Sequence, residues 1–252
     1  MNIEKVIIYT GLFDDYDKLS KPIFINENIE YICFTNSKKL KSKHWKIIFI
    51  NEEGSGSYLN RKVKMLPHIY LKEYKRSIYI DANVVLICNP YKLWLYLTNN
   101  NFILFEHPNK HTFLDEIKIN YKNKNINKII YNQLFLDHSN YIFFNILSMD
   151  IISVNRILVR NHNSKDVIKL MECWWHDFSK LKINRDQIIL PYLLVKKNFE
   201  VKILTSKFKY LDYYIIKPHK NYAILLKIKF FICFTIFESF IRFLVKFKNY
   251  SL

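Results

Sequence analysis

Ser77-Ile78-Tyr79-Ile80-Asp81-Ala82-Asn83-Val84-Val85-Leu86 is the stretch that decides the fold. Its first four residues predict a buried strand, because an apolar run of this length fits the interior of a sheet. The strand ends on Asp81, and Asn83 follows two residues later. Carboxylate and amide oxygens are hard ligands, which Mg²⁺ or Mn²⁺ prefers when it also holds a diphosphate. The same spacing is equally typical of a strand-to-loop turn, so these residues alone leave both interpretations open.

The rest of the chain alternates predicted strands with predicted helices. Apolar runs predict strands at 5–10, 30–35, 45–50, 77–81 and 102–105, and a strand pair at 150–160. Apolar residues at helical spacing predict helices at 60–75, 112–136, 164–178 and 186–197. This alternation predicts an α/β fold with a mainly parallel central sheet and flanking helices. Ligands bind beyond the carboxyl ends of the strands in such sheets, and Asp81 lies at one such end.

Composition limits the possible classes of protein. The chain has 252 residues, half of them hydrophobic, which suits one domain with a full core. Its three glycines exclude a glycine-rich dinucleotide fingerprint, and no phosphate-binding loop is present. The cysteines at 33, 88, 173 and 233 form no Cys-x-x-Cys pair. They predict buried free thiols rather than a zinc or redox site.

The chain is strongly basic, with a net charge of +17. From Lys196 onward the chain contains twelve Lys or Arg and three Asp or Glu, which gives a net charge of +9. Apolar residues lie between these charged residues. This pattern favours an anionic membrane surface and argues against nucleic acid. Residues 221–252 are predicted to form a basic amphipathic helix that anchors the protein to a membrane surface. A helix packed on the core or on a second subunit remains the alternative, because the amphipathic pattern is the same.

The location of the protein follows from two further observations. The longest run without a charge in the tail is 230–237, well short of the roughly 20 residues that span a bilayer. The first residues lead directly into a strand, without the pattern of a signal peptide. We therefore expect a cytoplasmic protein that is peripheral on the inner face of the cytoplasmic membrane.

Several polar residues beside the predicted elements are candidates for binding. Tyr9, Thr10 and Asp17 surround the end of the first strand, where they could hold a base and a ribose. Arg61 and Lys64 lie at i and i+3 on one helix face and could clamp a diphosphate, although a solvated charge pair is as plausible. For the loop after the first strand, a plain turn into the next element is the alternative.

Further residues are candidates for contact with a sugar or an acceptor. His107 follows a strand, Arg160 and His162 end another, and Trp175 could provide a stacking platform. Asp186 and Gln187 open a helix, where Asp186 is either a helix cap or a carboxylate at the reacting sugar. His219 comes after the last predicted helix of the domain, and its imidazole could bind a metal or lie on the surface. Each of these residues has an ordinary structural role as its alternative.

In their order, these segments resemble a known family of proteins. The motifs are Tyr9-Thr10 with Phe13 and Tyr16-Asp17, Tyr31–Asn36, Asn60-Arg61 with Lys64 and Pro67-His68, Tyr79–Asn83, Glu106–Pro108, Arg160 with His162-Asn163, Trp174-Trp175, and Arg185-Asp186-Gln187 with Pro191-Tyr192. They resemble the glycosyltransferase-like family that includes plant mucilage-related transferases and many proteins of bacterial polysaccharide gene clusters. The resemblance covers about residues 5–220.

The resemblance implies a GT-A-like nucleotide-diphospho-sugar transferase fold over residues 1–220. It implies that Asp81 and Asn83, with His219 as a third ligand, hold Mn²⁺ or Mg²⁺. By the same resemblance, Arg61 and Lys64 stand near the diphosphate, and Asp186 and Gln187 near the donor sugar. Ala82 replaces the glycine usual in the family, and Asp14-Asp15 replaces small residues. These departures leave the donor and a strict need for metal open.

The function expected from the resemblance is transfer of a sugar to a bacterial surface glycan. The donor is a nucleotide-diphospho-sugar, the acceptor is a glycan or a lipid-linked glycan, and the reaction takes place at the cytosolic face of the membrane. The alternative from another class is a non-catalytic protein that binds glycan or membrane on a degenerate transferase fold. The Asp-Ala-Asn sequence at 81–83 keeps this alternative open.

Overall fold

The computed structural model describes residues 5–107, 112–124, 126–129, 153–181, 186–206 and 211–220, and the tail residues 236, 238–243 and 245. The strands are β1 Val6–Gly11, β2 Ile29–Thr35, β3 Lys46–Phe49, β4 Ser77–Ile80, β5 Val84–Leu86, β6 Phe102–Glu106, β7 Ser153–Arg160, β8 Lys202–Leu204 and β9 Tyr214–Ile216. The helices are α1 Gly56–Met65, α2 Pro67–Tyr70, α3 Pro90–Tyr96, α4 Phe113–Lys122, α5 Lys165–Leu181 and α6 Ile189–Lys196.

Seven strands form the central sheet, in the order β3-β2-β1-β4-β7-β6-β8. All neighbouring pairs are parallel except the two that involve β7, which runs antiparallel to both β4 and β6. The predicted fold class, a mainly parallel sheet with flanking helices, is confirmed. Because β1 and β4 run in the same direction, their carboxyl ends meet at one edge of the sheet.

Both faces of the sheet are covered, which explains why its central strands are apolar throughout. Along β1, Ile7 and Tyr9 face the core beneath α1, α5 and α6, whereas Val6 and Ile8 face the core beneath α3. Alternate residues of a strand point to opposite faces, so β1 contributes to both cores. Trp174 of α5 is the largest fully buried side chain. A sheet held from both sides is a rigid support for residues at its edge.

Three sequence predictions require correction, and one helix was missed. The helix expected at 60–75 is divided into α1 and α2 at Leu66, because a residue before proline disfavours helical geometry. The expected strand pair at 150–160 is the single strand β7 in its described part. Helix α4 ends at Lys122, and most of 125–136 lies outside the described residues. Helix α3 was not predicted, although Asn89 caps it through the backbone N–H of Tyr91 and proline follows.

A small second sheet joins the end of the domain to the tail. Strands β5 and β9 pair antiparallel, and the described tail residues are helical. Ile241 and Val245 of the tail pack against Ile23, Val85 and Ile215. The rest of the predicted tail helix, like Cys233, lies outside the described residues. Among the residues that the structure describes, no helix has both the length and the apolar character needed to cross a membrane.

Candidate active site

A cleft of about 910 Å³ lies at the carboxyl ends of β1 and β4. Its walls come from the loop after β1, one side of α1 from Gly56 to Lys64, the turn after β4, the start of β7, the residues before α6 and the segment after β9, with single residues after β6 and in α4. The polar residues in these walls are Asp14, Tyr16, Asp17, Ser55, Ser57, Asn60, Arg61, Lys64, Asp81, Asn83, His107, Glu116, Asn155, Arg156, Asp186, Gln187, Lys217 and His219. This is the edge at which parallel sheets bind ligands.

Two cations and two carboxylates meet at the base of the cleft. Lys64 Nζ lies 2.6 Å from Asp186 Oδ2 and 3.9 Å from Asp81 Oδ1. Arg61 Nη2 lies 3.9 Å from Asp186 Oδ1. The side chain of Lys64 is 4% exposed and that of Asp186 is 9% exposed. The cation pair predicted on one face of α1 therefore lies beside both carboxylates, and the four formal charges compensate one another.

Asp186 is ionised and does not cap α6. The N-cap of α6 is Ile188, and no side chain bonds there, so the capping interpretation of Asp186 is wrong. Burial acts to raise the pKa of the Asp186 carboxyl, but Lys64 and Arg61 outweigh it and lower that pKa to about 2. The carboxylate therefore keeps its negative charge throughout the neutral pH range.

Asp81 is the more accessible of the two carboxylates, with 33% of its side chain exposed. Its Oδ1 accepts a hydrogen bond of 2.9 Å from the hydroxyl of Tyr79, and its backbone N–H donates to the carbonyl of Arg156. The amide of Asn83 donates to the carbonyl of Lys217 at 3.0 Å, and the N–H of Lys217 donates back to the Asn83 carbonyl at 2.7 Å. Asp81 and Asn83 are thus held in place on one wall.

The protein offers only part of a coordination sphere for a divalent cation. Within the part of the chain that the structure describes, no group of three His, Cys, Asp or Glu side chains is placed to hold a metal. Asp81 and Asn83 supply hard oxygens on one wall, which suits Mg²⁺ or Mn²⁺ when phosphate oxygens complete the sphere. His219 also lines the cleft, but its Nδ1 lies 2.6 Å from Asp17 Oδ2. Asp81 and Asn83 therefore fit a cation only if its remaining ligands come from a bound molecule.

The loop after β1 closes the cleft between α1 and the segment after β9. The carboxylate of Asp14 accepts the N–H of Gly56 at 2.7 Å, at the start of α1. A Cβ on Gly56 would lie 2.3 Å from that carboxylate, so the close approach requires glycine. Asp17 accepts from His219 and, at 3.1 Å, from the N–H of Lys220. Asp17, predicted to bind ribose, is therefore engaged with the segment 217–220, which we call the strap.

The strap also contacts the tail. Lys217 Nζ lies 3.0 Å from Glu238 Oε2. Glu238 in turn pairs with Arg242, whose guanidinium donates to the carbonyls of Lys21 and Pro22. The same residue, Lys217, thus holds Asn83 by its backbone and the tail helix by its side chain. The two contacts connect the tail directly to the cleft wall.

Two residues predicted to hold the nucleotide lie in the core instead. Tyr9 and Thr10 are completely buried. The hydroxyl of Tyr9 is bonded to the guanidinium of Arg160 and approaches the Lys64 carbonyl. Both belong to the interior of β1, upstream of the residue at which the strand reaches the cleft. Tyr16, at the rim and 59% exposed, lies against the ring of His219 and is the accessible tyrosine of this loop.

Three residues predicted to contact the sugar or acceptor are also placed elsewhere. Arg160 is fully buried beneath the sheet, and His162 is buried with Nε2 3.1 Å from the Leu71 carbonyl. The cause is the direction of β7, whose antiparallel course puts its carboxyl end at the edge opposite to the cleft. Trp175 lies outside the cleft walls and packs against Tyr58 and Phe178.

The start of β7 lines the cleft in their place. Asn155 and Arg156 were not among the predicted site residues, and neither was Asn60, whose amide donates to the Gly11 carbonyl at 2.7 Å. Gln187 lines the cleft as predicted, but both ends of its amide bond the backbone of β7, at the Ser153 carbonyl and the Asn155 N–H. Gln187 therefore positions β7. A signal for Asn60 was available, since it directly precedes Arg61.

The sequence also matches a known protein family. A family model, the TOD1/MUCI70 glycosyltransferase-like domain, matches residues 1–222. The chain belongs to this family. The family resemblance expected from the sequence is thereby confirmed. No curated protein matches this chain.

Two solved structures of glycosyltransferases match this chain over about four fifths of its length at low sequence identity. One is the apo structure of WbbM, a bifunctional glycosyltransferase, with 12% identity and a TM-score of 0.47 over 81% of this chain. The match spans 39% of the length of the WbbM chain. Another is mouse xyloside xylosyltransferase 1 in its apo form, with 12% identity and a TM-score of 0.41, covering 80% of this chain and 84% of the other.

Proposed function

We propose that this domain transfers a sugar from a nucleotide-diphospho-sugar to an acceptor in the cleft described above. The observation that carries the proposal is the cation pair of half-buried Arg61 and buried Lys64, which lies between Asp81 and Asp186. A diphosphate leaving group accumulates negative charge as the glycosidic bond breaks, and preorganised cations stabilise that charge. The family match to a glycosyltransferase-like domain supports the same class of reaction.

Asp186 acts on the sugar through its charge. A group with a pKa of about 2 is a weak base at neutral pH, because efficient general bases have pKa values near the working pH. Its carboxylate can accept hydrogen bonds from sugar hydroxyls and stabilise the positive charge that develops on the sugar ring. This favours an electrostatic and orienting role over proton abstraction.

Asp81 and Asn83 would hold Mn²⁺ or Mg²⁺ together with the phosphates of the donor. When bound, the ion would neutralise the departing diphosphate. Tyr79 supports this role by donating a hydrogen bond to Asp81, which orients the carboxylate. His219 would join the ligands by exchanging its contact with Asp17.

The test is binding and turnover with a panel of nucleotide sugars, with and without Mn²⁺. A donor should raise the Tm of the protein, and it should be consumed when acceptors are supplied. Asp81→Asn should lower turnover at least about a hundredfold, the scale of lost electrostatic stabilisation. Asp166→Asn, at an exposed residue of α5, is the matched control and should keep full activity.

Two outcomes contradict the proposal at different levels. If no nucleotide sugar in a panel covering the common bases and sugars binds or is consumed, the transferase function is wrong. That result together with glycan or vesicle binding would favour the non-catalytic alternative. If donors are turned over and Asp81→Asn keeps the wild-type rate, the reaction stands but the site assignment is wrong.

We further propose that the acceptor is a bacterial surface glycan or lipid-linked glycan, reached from the inner face of the cytoplasmic membrane. The tail helix supports a lipid surface as its partner. Ile236 and Phe240 are 68% and 55% exposed, one turn apart, while Ile241 and Val245 pack on the domain. A helix of this kind can insert its outer apolar side among lipid headgroups, and the net charge of +17 favours anionic lipids.

Co-sedimentation with vesicles tests this proposal. The full chain should sediment with vesicles containing phosphatidylglycerol and much less with phosphatidylcholine alone. Ile236→Ser with Phe240→Ser should abolish sedimentation, whereas Leu95→Ser, at an equally exposed residue of α3, should not. Equal binding by the wild type and the double variant would show that the outer side of the tail helix does not contact lipid.

A further inference from the structure

Asn155 is a buried amide on the wall of the cleft with no partner in the described chain. The residue is 4% exposed, and it lines the cleft near the start of β7. Neither its Nδ2 nor its Oδ1 makes a hydrogen bond to any of the residues that the structure describes. Buried polar side chains in proteins almost always have partners, so such an exception requires an explanation.

The backbone on both sides of this amide is fixed. The N–H of Asn155 donates to Gln187 Oε1 at 3.1 Å, and the carbonyl of Arg156 accepts the N–H of Asp81 at 2.9 Å. Asn155 therefore lies between the residues that follow β4 and the pair Asp186-Gln187. The torsion that turns the terminal amide of Asn is soft. The amide can rotate toward the cleft without any movement of the strand.

The chemistry of the free amide distinguishes between the parts of a nucleotide-sugar donor. A diphosphate offers only acceptors and has Arg61 and Lys64 as partners in the same cleft. An amide with an unused donor and an unused acceptor matches groups that both give and take hydrogen bonds. The hydroxyls of the sugar and of the ribose, and the edge of the base, are all such groups. The contact with Gln187 holds Asn155 next to Asp186, the carboxylate proposed to act on the sugar, so the sugar hydroxyls are the groups that this position favours.

We propose that the Asn155 amide binds the hydroxyl groups of the donor sugar and so contributes to recognition of the sugar. This inference rests on the proposed transferase function and deepens it by assigning the sugar subsite. A site built to pair a hydroxyl discriminates against ligands that lack it, because its own polar groups then stay unpaired. Asn155 thus affects the sugar end of the donor and not the nucleotide end.

The assignment is tested by comparing a nucleoside diphosphate with the matching nucleotide sugar. For the donor that the panel identifies, calorimetry without acceptor measures both affinities in wild type, Asn155→Leu and Asn155→Ala. The two variants should bind the nucleoside diphosphate within twofold of wild type and the nucleotide sugar at least tenfold more weakly. Asn155→Ala covers the case in which the larger leucine disturbs the strand.

Stability without ligand gives a second readout. Removing an amide that has no partner among the described residues should leave the Tm of Asn155→Leu unchanged or higher, since a group kept for function costs stability. The matched control is Asn161→Leu, because the Asn161 amide donates to the carbonyls of Leu97 and Asn100, at 3.1 and 3.3 Å. That control should lower the Tm.

The outcomes separate this inference from the proposed function. If wild type binds neither ligand, the transferase site is wrong and the Asn155 assignment is wrong with it. If wild type binds both and the Asn155 variants keep the sugar affinity, only the Asn155 assignment is refuted. Loss of diphosphate affinity in both Asn155 variants, or a fall in Tm in both of them like that of Asn161→Leu, would show a structural role and also overturn the assignment.

Discussion

Asp186→Asn should destabilise the protein strongly, although the substituted amide has almost the same shape. The change removes the nearer of the two carboxylates beside Lys64, whose side chain is 4% exposed. The pKa of Asp186 falls from 3.8 to about 2 on folding, which corresponds to about 2 kcal/mol of net stabilisation of the charged form. Leaving a buried charge uncompensated typically costs about 3–5 kcal/mol. The two estimates bracket the expected loss.

Thermal unfolding in the absence of ligand measures this loss. For a chain of this size, each kcal/mol shifts the Tm by about 2–4 °C, so a loss of about 2–5 kcal/mol should lower the Tm by about 4–20 °C. Because folding lowers the pKa of Asp186, its stabilisation is complete above the unfolded value of 3.8 and disappears only as the pH falls through about 2. The difference in Tm should therefore be constant between pH 5 and 8.

The matched control is a more exposed ion pair, between Glu52 and Lys62, which lies in helix α1 with Lys64. Lys62 Nζ lies 2.5 Å from Glu52 Oε2, with side chains 30% and 34% exposed. Exposed pairs contribute about 0–1 kcal/mol, so Glu52→Gln should change the Tm little. If Asp186→Asn and Glu52→Gln lower the Tm equally, Asp186 is not the counter-charge of a buried cation, and the electrostatic account of the cleft is wrong.

Two further predictions concern pH and the tail. Burial lowers the pKa of His162 to about 4, against a smaller raising effect from the Leu71 carbonyl, so the unfolded chain binds the extra proton between about pH 4 and 6.5. The urea midpoint of the wild type should therefore fall as the pH drops through that window, and the midpoint of His162→Asn should fall less steeply. Equal slopes of midpoint against pH in the two proteins would contradict this. Glu238→Gln loses its ion pairs with Lys217 and Arg242, so the tail helix should exchange amide hydrogens faster and the donor KM should rise. Unchanged exchange and KM would show that the strap holds Asn83 without the tail.

The sequence alone determined the elements that line the central sheet and one wall of the cleft. The bounds of strands β1 and β4 were predicted within a residue or two. A short unbroken apolar run between turn residues is typical of a buried strand. Asp81 was placed at a carboxyl end of the sheet for the same reason. The pairing of Arg61 with Lys64 on one helix face depends only on helical periodicity, which is local.

The tertiary structure decided the residues whose position depends on pairing between distant segments. A strand has the same local pattern in either direction, so nothing in residues 153–160 indicated that β7 runs antiparallel to β4. That direction buries Arg160 and His162 at the far end of the sheet and brings Asn155 into the cleft. An aspartate before an apolar helix resembles a cap in sequence. Only the packing of α1 against the segment before α6 places the Asp186 carboxylate 2.6 Å from Lys64, because that distance depends on how the whole chain folds.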